Sequence, residues 1–201
     1  MTWIQTLNYQ QAGARLKKLY DRVRGQDGHI DNIMLAHALR PASLQGHMTL
    51  YKNVLHHTDN QLDKWLLECL GLYVSLLNGC DYCADHHHAG MARLLGDPAR
   101  AAALRSALSE RRPERVLAGA ELALMHYAER LTLTPAAVDE ADYRALCQAG
   151  LDDGRILEAN QVIAYFAYAN RTVLGLGVTT DGEPLGLSPN NSDDEGDWVH
   201  S

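Results

Sequence analysis

The sequence predicts an all-α fold in a single domain of about eight to ten helices. Three observations carry that expectation. The chain is rich in alanine and leucine and holds one phenylalanine, a composition that favours helix. Apolar residues recur with the period of an amphipathic helix, as at Leu62, Trp65, Leu66, Leu70, Tyr73 and Leu77. Helix stops and starts punctuate the pattern at Arg40-Pro41, Asn78-Gly79, Gly96-Asp97-Pro98, Thr134-Pro135 and Gly150. With 201 residues the chain can bury a sizeable core.

Taken in order, residues 1–9 read as an extended arm that Trp3, Ile4 and Leu7 pin down. A first helix follows over about Tyr9–Arg24, with Leu16, Leu19, Tyr20 and Val23 on one face, and Gly25–Gly28 is a turn. A short helix over Asp31–Leu39 is broken by Arg40-Pro41, and the next runs Ser43–His57 with Leu44, Met48, Tyr51 and Leu55 in register. The helix Leu62–Leu77 stops at Asn78-Gly79, and another starts at Cys80 or Asp81 and runs toward Leu95. Asp97 as cap and Pro98 at the first position open Ala99–Leu108. A charged linker over Ser109–Glu114 precedes helices over Val116–Leu131, Thr134–Ala149 and Leu151–Leu174. Cys69, Tyr73 and Cys147 are read as core residues. The helical domain spans residues 1–180. Residues 181–201 form a polar tail, expected to wrap on the body or a neighbouring subunit, with Trp198 docked.

Composition excludes several classes. A net charge of −7 gives no support to nucleic-acid or anionic-membrane binding. The longest apolar runs, such as Val162–Ala169, are too short to span a bilayer. Residues 1–30 lack the pattern of a signal peptide, so a cytoplasmic location is expected. In a reducing compartment a C-x-x-C pair is more often redox-active or metal-binding than structural.

The chemistry concentrates between Glu68 and Arg93. Two of the four cysteines, Cys80 and Cys83, and three of the ten histidines, His86, His87 and His88, lie within nine residues. On a helix starting near Cys80 the two thiols stand one turn apart, within reach of a disulfide. In a first turn the helix dipole favours an anion, which predicts a lowered pKa for Cys83. His87, four residues after Cys83, is placed to take or relay its proton, and Glu68 on the preceding helix to orient His87. Glu68 sits among Leu66, Leu67 and Leu70, which argues for burial and so for a partner. The set suits attack on a peroxide or a disulfide. The competing reading of the same residues is a soft metal site using Cys80, Cys83 and His87, with His56 or His57 brought in from elsewhere. His86 and His88 have no assigned role, since successive helical residues point in different directions, and Asn170 and Arg171 read as structural.

Glu68, eleven intervening residues, Cys80-x-x-Cys83 and His87 is similar to the motif of the AhpD-like alkylhydroperoxidases in the carboxymuconolactone decarboxylase superfamily. Leu157–Val178 resembles the closing helix of that family, with Asn170, Arg171, Leu176, Gly177 and Val178 at its end. The opening, through Leu19-Tyr20-Asp21 and Asp31-Asn32-Ile33, resembles the branch of uncharacterised peroxidase-related enzymes. The resemblance implies an AhpD-like helical fold and a thiol-dependent peroxidase acting on hydrogen peroxide or organic hydroperoxides. Cys83 would be peroxidatic, Cys80 resolving, and Glu68 with His87 the proton relay. It also implies a homo-oligomer, an external dithiol reductant, and no haem, flavin or metal cofactor. Family members often carry a histidine inside the C-x-x-C, where this chain has Tyr82. A disulfide reductase without peroxidase activity is the variant in the same class.

Overall fold

The computed structural model describes residues 2–25, 28–194 and 196–200. Among them nine α-helices follow one another, and no strand forms. They are α1 (Ala14–Val23), α2 (Asn32–Ala36), α3 (Pro41–Leu55), α4 (Lys64–Leu77), α5 (Asp81–Leu95), α6 (Pro98–Ser109), α7 (Gly119–Leu133), α8 (Glu140–Gln148) and α9 (Asp153–Leu176). The all-α expectation holds.

α4 is the central helix. Ten consecutive residues from Leu66 to Ser75 are buried, because α5, α6, α7 and α9 all pack against it. A helix enclosed on every side must be apolar all round, and Glu68 is the charged exception in that run. α9 crosses α4 closely at Gly71, where an added Cβ would come within 2.3 Å of the Phe166 ring. That contact fixes Phe166 beside the face of α4 that bears Glu68.

Differences from the sequence reading have local causes. α1 begins at Ala14 rather than Tyr9, because Asn8 and Gln11 close a turn through reciprocal side-chain bonds of 3.0 Å each. The helix expected over Thr134–Ala149 is instead a 3-10 turn, Pro135–Ala137, followed by α8. Asp139 there forms a capping box with Asp142 and starts a new helix. Cys69 and Tyr73 are buried as expected, whereas Cys147 is exposed, since α8 buries only Leu146. The turn expected at 25–28 falls partly on residues 26 and 27, outside the described residues.

After α9 the described residues run over the body without forming a helix. Asn32 donates from Nδ2 to the Thr179 carbonyl at 2.8 Å. Lys52, fully buried, donates to the Asn190 carbonyl and to Ser192 Oγ. Trp198 is buried, with the Arg22 guanidinium 3.4 Å above its ring. Among the described residues no helix is long and apolar enough to cross a membrane.

Candidate active site

The site is built on the α4–α5 hairpin. Asn78-Gly79 turns the chain, and Cys80 caps α5 with its amide donating to the Ser75 carbonyl at 2.9 Å. Cys83 follows in the first turn of α5, and both thiols are buried and free. Antiparallel packing of the two helices brings Glu68 of α4 beside His87 of α5, with Nδ1 donating to Oε2 at 2.6 Å. A carboxylate only accepts, so Nδ1 carries the proton and Nε2 is left for exchange. The His87 ring is held edge-on by Phe166 at 4.4 Å. Gly90 lets α5 approach, since a Cβ there would lie 3.1 Å from Glu68 Oε2.

Glu68 is buried, which by itself raises a carboxyl pKa. The charge and hydrogen bond of His87, with smaller contributions from His56 and Arg93, outweigh burial and hold it below its ordinary value. Glu68 is therefore an anion at neutral pH. Burial drives His56, whose Nε2 is 4.0 Å from Glu68 Oε1, and His47 down to about 3, so both are neutral.

The thiol pair corrects one sequence expectation. Cys83 is not lowered. Its hydrogen bond to Cys80 and its burial raise it well above the ordinary cysteine value. Cys80 is lowered, chiefly by the hydrogen bond from the Cys83 thiol, with the Cys83 amide and Asn170 adding to it against burial. The two thiols titrate as a pair, and the donors that converge on the capping position favour ionisation at Cys80. Helix-dipole reasoning identified the right turn and the wrong sulfur.

Asn170, read from the sequence as structural, reaches the thiols. Its Oδ1 accepts from Asn78 Nδ2 at 2.9 Å and its Nδ2 donates to Ser75 Oγ at 3.0 Å. That fixes the amide nitrogen toward the cysteines, and its hydrogen bonds favour the charged form of both. Its position beside Arg171 at the end of the closing helix was a usable signal.

Cys83, His87 and Glu68 line one small cavity together with His47, Tyr51 and Tyr165. Tyr51 and Tyr165 are stacked at 5.4 Å, and burial raises both phenols well above 10, so they stay protonated hydrogen-bond donors. Gly186, Leu187, Ser188 and His200 bring the C-terminal segment to the same cavity. The cavity has room for a few water-sized groups. His86 also lines it and bonds Glu183 Oε1 at 3.0 Å, while His88 does not line it.

Residues 41–129, from α3 into α7, match the carboxymuconolactone decarboxylase family. That region of the chain is similar to the carboxymuconolactone decarboxylase family, and the chain as a whole shares the all-α fold of AhpD-like structures. Among solved structures of this fold is an uncharacterised peroxidase-related protein from Silicibacter sp. TM1040, at 24% identity and a TM-score of 0.75 over 89% of this chain and 91% of that one. An uncharacterised peroxidase-related protein from Ralstonia eutropha JMP134, described as an alkylhydroperoxidase AhpD core, has 20% identity and a TM-score of 0.76 over the same shares, 89% and 91%. The debrominase Bmp8 in complex with 2,3,4-tribromopyrrole is similar at 17% identity and a TM-score of 0.66, over 90% of this chain and 91% of that one. No curated protein matches the chain.

Proposed function

We propose that the chain is a thiol-dependent peroxidase that reduces small hydroperoxides through a Cys80–Cys83 dithiol–disulfide cycle. The observation that carries this reading is the convergence of Cys83, His87 and Glu68 on one small, largely buried cavity. Cys80 and Cys83 start as two hydrogen-bonded thiols, and that bond lowers the pKa of Cys80 and raises that of Cys83. As peroxide enters, the Cys83 proton passes to His87. The Cys83 thiolate attacks the distal peroxide oxygen and the O–O bond breaks. The departing alkoxide takes a proton, leaving an alcohol and a Cys83 sulfenic acid. Cys80 attacks the sulfenic sulfur, water leaves, and the disulfide forms. One hydroperoxide and two thiols thus give one alcohol, one water and one disulfide, which an external dithiol reduces.

The anionic Glu68 stabilises positive charge on His87 when it accepts a proton, as the third member of a nucleophile–base–orienter set. Tyr51 and Tyr165 line the same cavity as protonated phenols. The cavity beside Cys83 has room for hydrogen peroxide or the head of an organic hydroperoxide. The test is peroxide consumption with dithiothreitol as recycling reductant. Turnover with tert-butyl hydroperoxide that requires both cysteines supports the reading. Dithiol-driven disulfide reduction with no peroxide consumption would replace it by the disulfide reductase.

A further inference from the structure

We propose that His29, Asp31 and Glu183 form a binding site for one divalent transition-metal ion, such as zinc, that fastens the C-terminal segment beside the redox cavity. The three residues come from two ends of the chain. His29 and Asp31 lie just before α2, and Glu183 follows α9. Their ligand atoms all fall within 4.8 Å of one another.

The spacing separates this group from directly hydrogen-bonded ion pairs. His29 Nε2 stands 3.7 Å from Asp31 Oδ1 and 3.8 Å from Glu183 Oε2. Charge-assisted hydrogen bonds close to about 2.7–2.9 Å. Ligands bound tetrahedrally to a metal at about 2.0–2.2 Å stand roughly 3.3–3.6 Å from one another. The His29 gaps are therefore too long for hydrogen bonds and within a few tenths of an ångström of a ligand polyhedron. The other Glu183 oxygen shows the contrast, since His86 Nε2 bonds it directly at 3.0 Å.

Burial and charge point the same way. The side chains of Asp31 and Glu183 are 10% and 0% exposed, so a cation between them would be held out of bulk water. The ion-pair partners of Glu183 among the described residues are both imidazoles, His29 and His86. One nitrogen and two oxygen donors suit zinc or manganese. The outer contacts are also in place. The Asn32 amide donates to Glu183 Oε2 at 2.6 Å, and His86 orients the carboxylate from its far side. The His29 side chain is 21% exposed, which leaves an entry path. Cys80, Cys83 and His87, the metal set considered from sequence, do not converge in this way among the described residues.

The site joins the α1–α2 connection to the segment whose Gly186, Leu187 and Ser188 line the redox cavity. Metal occupancy would tighten that wall. The inference does not rest on the peroxidase reading, and its test reads no activity. Chelator-treated protein is titrated with Zn²⁺ by calorimetry, with thermal unfolding and hydrogen exchange as parallel readouts. A Cys80→Ser/Cys83→Ser double variant is titrated alongside. The expected result is one Zn²⁺ per chain in both proteins, a rise in Tm with Zn²⁺, and slowed exchange over residues 179–190. Glu183→Gln and Asp31→Asn each weaken binding by more than about tenfold, and His86→Gln by about tenfold. Should Glu183→Gln fail to fold, His29→Gln at the partly exposed position gives the same reading. Absence of binding overturns the proposal. So does binding that survives all three ligand substitutions, or binding lost in the cysteine double variant.

Discussion

The α4–α5 hairpin and the C-terminal segment both reach the cavity, yet they do so by different physics. In the hairpin, helical period and one tight turn place every group. Cys80 and Cys83 are one turn apart, and Glu68 faces His87 because two consecutive helices pack antiparallel. In the segment after α9 there is no helix to impose a period. Glu183, Gly186–Ser188 and His200 are positioned by individual anchors, namely Asn32, Lys52 and the Arg22–Trp198 stack. The contrast teaches that the reacting groups are held by regular backbone hydrogen bonding, while the wall over them depends on a few side chains that could release it.

The largest effect falls on the hairpin thiols. Cys83→Ser abolishes peroxide turnover. Cys80→Ser allows one oxidation and leaves a sulfenic acid at Cys83 that dimedone traps, read by peptide mass spectrometry. Turnover surviving Cys83→Ser would break the assignment of roles.

The relay comes next. His87→Gln lowers the single-turnover rate by about 10²- to 10⁴-fold, the usual weight of general acid–base catalysis. An unchanged rate in stopped-flow would remove His87 and Glu68 from the chemistry while leaving the cysteines in it.

For the segment, Trp198→Ala removes a buried ring at a cost of about 3–5 kcal/mol. A terminal strap held by few anchors releases rather than destabilising the whole chain. Hydrogen exchange is expected to quicken over residues 179–200 and to stay slow over residues 68–90. Equal loss of protection in both would mean that the two regions unfold as one unit.

Acid acts on α3 and its C-cap, and on the C-terminal segment, through buried imidazoles. Burial lowers His47 and His56 to about 3 and His200 to about 4. The folded values lie below that of an unfolded histidine, so between about pH 6.5 and those values the unfolded chain binds more protons. The stabilisation is complete above pH 6.5 and falls as pH drops, by about 1.4 kcal/mol per unit for each histidine. Denaturant midpoints from pH 7 to 5 check this, and a flat profile would contradict it.

The smallest effect belongs to Asn170. Asn170→Ala removes a donor to both sulfurs, so the first thiol ionisation moves up toward the ordinary cysteine range. The pH dependence of iodoacetamide labelling reads it, and an unmoved profile would return Asn170 to a purely structural role.

Much of the fold and of the hairpin was legible because both rest on short-range periodicity. Helix starts at Pro98 and Asp152 carried their own capping signals, and the Glu68 spacing to His87 needs only two packed helices. Asn170 was harder to read, since it reaches the thiols across a helix crossing that Gly71 and Phe166 set. The ionisation order of Cys80 and Cys83 was misread because it depends on which sulfur receives the donors rather than on the helix dipole. His29, Asp31 and Glu183 were invisible, as residues some 150 positions apart meet through a segment without periodicity.

The most direct test of the dithiol peroxidase is mass spectrometry of the reduced protein after one equivalent of tert-butyl hydroperoxide. The account predicts loss of two hydrogens, located to the peptide holding Cys80 and Cys83, with one equivalent of tert-butanol released. Thiols that stay unreacted, or oxidation found at the exposed Cys147 instead, would contradict it.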